Sequence, residues 1–137
     1  MKKSYFTFLL IFSTSLFAGN TITILCPPVN QIRYTPIQEP WATFKYTASM
    51  PIDLPRLGNL LSFIGEGHSN AAKNMDSAVW TDDTLNCNYN GDQEYMVLTS
   101  VDLSHELTGC YFKTPPADGC QGSTPEDCPM TCKKILR

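Results

Sequence analysis

Six cysteines in a chain of 137 residues constrain this sequence more than any other feature. Cys26, Cys87, Cys110, Cys120, Cys128 and Cys132 form an even set, and all follow an amino terminus that reads as an export signal. Oxidising compartments convert such thiols to bridges, so three disulfides are expected rather than a metal site. The spacing agrees. There is no Cys-x-x-Cys pair, only Cys128-x-x-x-Cys132, and neither His68 nor His105 belongs to a His-x-x-x-His arrangement, so no structural zinc and no cofactor is expected. The sequence leaves the pairing open. The crowding of three cysteines into the tail predicts one local bridge there and at least one that ties the tail to the body.

The export reading rests on Met1-Lys2-Lys3, an apolar run over residues 5–17, and Ala18-Gly19 as a small-residue cleavage site. Residues 1–18 are therefore read as a signal peptide and residues 19–137 as one domain. The apolar run is shorter than the roughly 20 residues of a membrane-spanning helix, and no later segment approaches that length. No integral membrane segment is expected after signal removal. Losing Lys2 and Lys3 leaves eight basic residues against thirteen acidic ones, a formal charge of −5. An acidic chain lacks the basic stripe that neutralises phosphates, so nucleic acid is not an expected partner.

Periodicity points to β-structure. Residues 21–26 have the β-branched, partly alternating character of a strand, which Pro27-Pro28 ends. A short extended piece is expected over residues 32–34. Residues 41–48 put Trp41, Thr43 and Lys45 on one face and Ala42, Phe44 and Tyr46 on the other. A proline-rich connection then leads to a strand over residues 60–66, and residues 69–75 are read as a short helical turn. Asn90-Gly91, between residues 84–89 and 94–101, predicts a β-hairpin with a two-residue turn, and alternation turns Leu85, Cys87 and Tyr89 inward. A further strand covers residues 107–112. Residues 113–137 read as a disulfide-stapled tail with no core of its own.

Motifs for catalysis are weak. His68 beside Glu66 and Ser69, and His105 beside Ser104 and Glu106, are the available acid-base clusters, but neighbours on a strand point to opposite faces. The run from Asn86 to Gly91 has the oxygen spacing of a calcium loop, yet Val97 falls where the bidentate glutamate belongs. Asp82-Asp83 and Glu126-Asp127 read as solvated loop charge. The segment Thr114-Pro115-Pro116-Ala117-Asp118-Gly119-Cys120 has the rigid look of a protease-binding loop, with a plain turn as the simpler account.

The order Cys26-Pro27-Pro28, Ile32, Trp41-Ala42, Leu61-Ser62-Phe63 and Leu85-Asn86-Cys87-Asn88-Tyr89 resembles a family of small exported bacterial proteins known as a domain of unknown function. The resemblance spans residues 21–110 and implies a secreted or periplasmic bacterial protein. It supplies no catalytic residues. The expected fold is mainly β, a single antiparallel sheet or small β-sandwich with at most one short helix and the stapled tail. The expected function is a non-catalytic binding module for a protein or polymer outside the cytoplasm, with a small hydrolase or a protease inhibitor as alternatives. Large aromatics give contact area at little entropic cost, which makes Trp41, Trp80 and Tyr111 the candidate contact residues.

Overall fold

A computed structural model describes residues 20–113 and 117–136. The segment read as a signal peptide, residues 1–18, and residues 114–116 of the proline loop lie outside the described residues. Ten strands form two antiparallel sheets: β1 (Thr21–Ile24), β2 (Arg33–Glu39), β3 (Ala42–Pro51), β4 (Leu60–Gly67), β5 (Ala72–Thr81), β6 (Thr84–Gly91), β7 (Tyr95–Ser100), β8 (Leu107–Phe112), β9 (Gly119–Gln121) and β10 (Met130–Lys134). The larger sheet has the order β2-β3-β4-β7-β6-β5-β9, and the smaller one β1-β10-β8. Helical structure among the described residues is confined to three 3-10 turns, Val29–Gln31, Pro55–Leu57 and Pro125–Asp127. None of the helices is long and apolar enough to cross a membrane.

The two sheets share one core. Tyr46, Leu61, Phe63, Leu85, Met96 and Leu98 of the larger sheet pack in the same buried cluster as Ile24, Phe112 and Met130 of the smaller one. This is the sandwich arrangement, in which alternate residues of each strand face inward. β6 follows the expected alternation, with Leu85, Cys87 and Tyr89 buried. The bridges are Cys26–Cys87, Cys110–Cys132 and Cys120–Cys128. The last is local to the tail and the second ties the tail to β8, as the crowding of cysteines predicted. Cys26–Cys87 is buried and joins the chain just after β1 to the middle of the larger sheet.

Four local expectations are corrected. Residues 69–75 form no helical turn. β5 starts at Ala72, and Ser69 is fully buried as a hub: its Oγ donates to the Glu94 carbonyl (2.9 Å) and accepts from the N–H groups of Gln93 (3.1 Å) and Glu94 (2.9 Å). The β6–β7 hairpin exists, but Asn90 and Gly91 belong to β6, with Asn90 paired to Tyr95. Gly91 is required for a close approach rather than a turn, because a Cβ there would run into Ser69 and the Glu94 carbonyl. The two-residue turn with left-handed backbone lies instead at Asp82 (φ 52°) and Asp83 (φ 60°), between paired Thr81 and Thr84. Aspartate tolerates this region better than most residues.

The second extended piece is longer than expected. β2 runs through Pro36, which an edge strand accepts because one side of its backbone needs no ladder partner. The tail is no appendage either. β10 is the central strand of the smaller sheet, Met130 and Cys132 are fully buried, and β9 pairs with β5 over Ser77–Val79. A short strand with few apolar residues gains its burial from the neighbours on both sides, which periodicity within the tail does not reveal.

Candidate functional site

The outer face of the larger sheet is organised in lateral rows. Register places Arg33, Thr47, Ile64, Thr99, Asn86 and Val79 side by side across six strands. On one side of this row lie Lys45 opposite Glu66, and Val97, Asn88 and Ser77 in line. On the other lies Ser49 opposite Ser62. Most of these side chains are hydroxyls or amides. Several bond to one another: Thr99 Oγ1 donates to Asn86 Oδ1 (2.8 Å) and Asn88 Nδ2 donates to Ser77 Oγ (3.0 Å). Near the centre, Tyr95 (62% exposed), Val97 and Val101 from the β7 segment and Ile64 (57%) and Leu60 from β4 are exposed apolar side chains that alternate with Thr99 and Ser62.

A groove of about 600 Å³ opens on this face where β2 begins. Its floor is the paired stretch of β3 and β4, with Thr47 and Ile64, Ser49 and Ser62, and Leu60 presented outward. Asn30 and Gln31 of the first 3-10 turn form its wall, and Arg33 stands at the end of the floor. The wall exists because the chain leaves the strand direction at this turn, closed by the Gln31 N–H donating to the Pro28 carbonyl (2.9 Å). Among the described residues the one ion pair joins Lys134 Nζ to Asp53 Oδ2 (2.7 Å), and no carboxylate pairs with Arg33.

The three candidate aromatics do not come together. Trp41 lies at the β2–β3 connection, 61% exposed, and its Nε1 donates to Glu66 Oε1 (2.8 Å), which lays the indole toward the outer face that carries the groove. Trp80 is on β5, partly buried against the core, with its backbone N–H donating to the Asp118 carbonyl (2.8 Å). β5 is four strands from β3 in the sheet, roughly 19 Å at the usual spacing. Tyr111 is exposed on β8 of the other sheet. Sequence reasoning missed Arg33, Thr47, Ser49, Ser62 and Ile64. Alternation was the available signal, since it places Thr47 and Ser49 on the outward face already assigned to Thr43 and Lys45, but only strand pairing brings Arg33 and Ser62 beside them.

The other candidate chemistries have local accounts. Asp102 accepts the Ser104 N–H (2.8 Å), and hydrogen bonds from Ser104, with His105 nearby, hold its carboxyl below the usual range, so this cluster shapes the turn before β8. Asn86 and Asn88, of the calcium-like run, sit on the sheet face in the bonds described above. No group of three or more His, Cys, Asp or Glu side chains that can hold a metal occurs among the described residues. His68 Nδ1 lies 3.4 Å from Thr43 Oγ1. The described end of the proline loop is laced down, with the Phe112 N–H donating to the Ala117 carbonyl (2.8 Å) and Cys120 inside β9.

Burial dominates the titration of the tyrosines under the sheet. Tyr46 is pushed up to about 12 by burial, with Glu94 and Asp92 adding to the shift, although its hydroxyl donates to the Ser69 carbonyl (2.8 Å). Tyr34, edge-on to Tyr46 at 5.5 Å between ring centres, and Tyr89, whose hydroxyl donates to the Pro27 carbonyl (2.6 Å), are raised for the same reason. These rings are packing elements that fix the plate bearing the groove. Compared with models of protein families, with curated proteins and with solved structures, the chain gives no match, so its function has to be read from this face itself.

Proposed function

We propose that the protein is a non-catalytic binding module of the secreted or periplasmic space, and that it takes up a protein or polymer partner on the outer face of the seven-stranded sheet. The observation that carries this reading is the exposure of Tyr95, Val97, Val101, Ile64 and Leu60 among hydroxyl and amide side chains. Apolar surface grouped in this way, bordered by polar groups, is characteristic of interaction sites. Pairing of all six cysteines supports an oxidising compartment.

Two measurements test it. Fractionation of a producing culture is expected to place the oxidised protein in the medium or periplasm, and a thiol form retained in the cytoplasm overturns the location. Material from the envelope and medium is then passed over the immobilised protein and over a Val97→Asp variant, which changes a partly exposed residue of β7 and whose fold is checked by its amide spectrum before use. Retention of a partner by the first and not the second is expected. Equal retention by both excludes the sheet face.

A further inference from the structure

We propose that the groove over β3 and β4 binds a saccharide unit bearing a carboxylate, with Arg33 taking the carboxylate and the surrounding hydroxyls and amides taking ring hydroxyls. This rests on the binding-module reading and names a ligand class for one part of its face.

Charge comes first. Arg33 is exposed at the end of this groove, and no acidic side chain among the described residues neutralises it, in a chain with thirteen acidic residues against ten basic ones. A guanidinium presents paired donors that match a carboxylate. Among the described residues it is the only charged side chain lining the groove, which suits a single carboxylate and not a phosphate polymer, whose binding needs a row of cations.

The remaining lining sets the ligand's other half. Thr47, Ser49 and Ser62 carry hydroxyls that both donate and accept, and Asn30 and Gln31 carry amides that do the same. A ligand with several hydroxyls has the same dual character and satisfies such a floor from many orientations. Leu60 and Ile64, 46% and 57% exposed, offer aliphatic surface for the C–H face of a puckered ring. The groove's one aromatic residue, Phe63, is turned into the core, so there is no platform for stacking a flat base. The floor itself offers no slot for an inserted strand, because β3 and β4 are paired with each other from Ala48 opposite Phe63 to Pro51 opposite Leu60. The groove's volume of about 600 Å³ lies within the range of roughly 300–1,000 Å³ of small-ligand sites.

The test is a titration of the isotopically labelled, oxidised protein followed by amide chemical shifts. The probes are glucuronic acid, N-acetylmuramic acid and N-acetylneuraminic acid, with glucose and acetate as controls. Saturable shifts at Thr47, Ser49, Ser62 and Ile64 are expected with at least one carboxylated sugar, and binding of glucose and of acetate about tenfold weaker or less detectable still. Arg33→Gln is expected to weaken the sugar acid by about ten- to a hundredfold, with Arg33→Lys in between. Which acid binds best separates a cell-wall source from a host-glycan source. Acetate binding as well as the sugars would reduce the groove to an anion site, and glucose binding as well would remove Arg33 from recognition. Either result, or no shift with any probe, overturns the inference. If no probe binds while the partner is still retained in a Val97-dependent way, the ligand class alone is wrong. If both fail, the binding-module reading falls with it.

Discussion

The two sheets of the sandwich are assembled by opposite strategies. In the larger sheet, β2 with β3, β3 with β4, β5 with β6 and β6 with β7 are neighbours in sequence, and their strands run to ten residues. In the smaller sheet, β1 from the start of the described chain meets β10 from its end, and these strands have four and five residues. Closing short loops costs little entropy, so hairpins of long strands support themselves, whereas short strands brought from far apart repay the closure poorly. The cysteines follow that division. Cys110–Cys132 ties β8 to β10 within the smaller sheet, and Cys26–Cys87 fastens the chain beyond β1 to β6. No bridge joins two strands of the larger sheet; Cys120–Cys128 clips its edge strand β9 to the loop before β10.

The strongest way to break this contrast is to cut the link between the sheets. Replacing Cys26 and Cys87 by alanine opens a bridge with a separation of 61 residues, and the chain-entropy relation assigns it about 4 kcal/mol, to be read from denaturant midpoints. The Cys110→Ala, Cys132→Ala pair, with a separation of 22, is expected to cost about 3 kcal/mol by the same relation. Its amide exchange distinguishes the sheets: protection is lost first over β1, β8 and β10 while β3, β4 and β6 retain theirs. Uniform loss across both sheets would show that the smaller sheet has no separate fragility.

Alkaline pH probes the larger sheet through its tyrosines. Tyr46 in the folded protein ionises near 12 and an unfolded tyrosine near 10, so the unfolded state gives up its proton first. The contribution of this burial is complete below about pH 10 and is lost as pH rises toward 12, on the order of 2–3 kcal/mol for a two-unit difference. Urea midpoints measured across that window should fall, and the fall should be shallower in Tyr46→Phe. Ser69→Ala leaves the Gln93 and Glu94 N–H groups without their acceptor and is expected to cost about 2 kcal/mol, seen as a lower melting temperature and faster exchange at the β6–β7 turn. The smallest effect belongs to Asp53→Asn. It removes the ion pair to Lys134 at an exposed carboxylate, and a change under about 1 kcal/mol is expected.

Local pattern made much of this fold legible. The alternation of Trp41 through Ala48 and the inward set Leu85, Cys87, Tyr89 read correctly because each strand buries one face, and that is written in neighbouring residues. Asn90-Gly91 misled because two physical demands share one residue type: glycine serves a left-handed turn, and it equally serves a place where another side chain presses on the backbone, here Ser69. The tail misled because Met130 and Cys132 owe their burial to β1 and β8, more than a hundred and about twenty residues away respectively. The groove was hidden for the same reason. Arg33, Thr47 and Ile64 are adjacent through register, and register between strands is not a property of any window of sequence.

The order of the bridges has a bearing on how the chain matures. A chain that emerges amino end first presents Cys26 and Cys87 as its first two thiols, and pairing them in order of appearance gives the native bridge. Continued in the same order, Cys110 would take Cys120 and Cys128 would take Cys132, both wrong, because the native Cys120–Cys128 loop is nested inside Cys110–Cys132. Cys110–Cys132 is therefore correct only after β10 has entered between β1 and β8, or after thiol exchange has undone an earlier pairing. Oxidation of the chain as it emerges should pass through species with a native first bridge and scrambled tail, and a disulfide isomerase should release them.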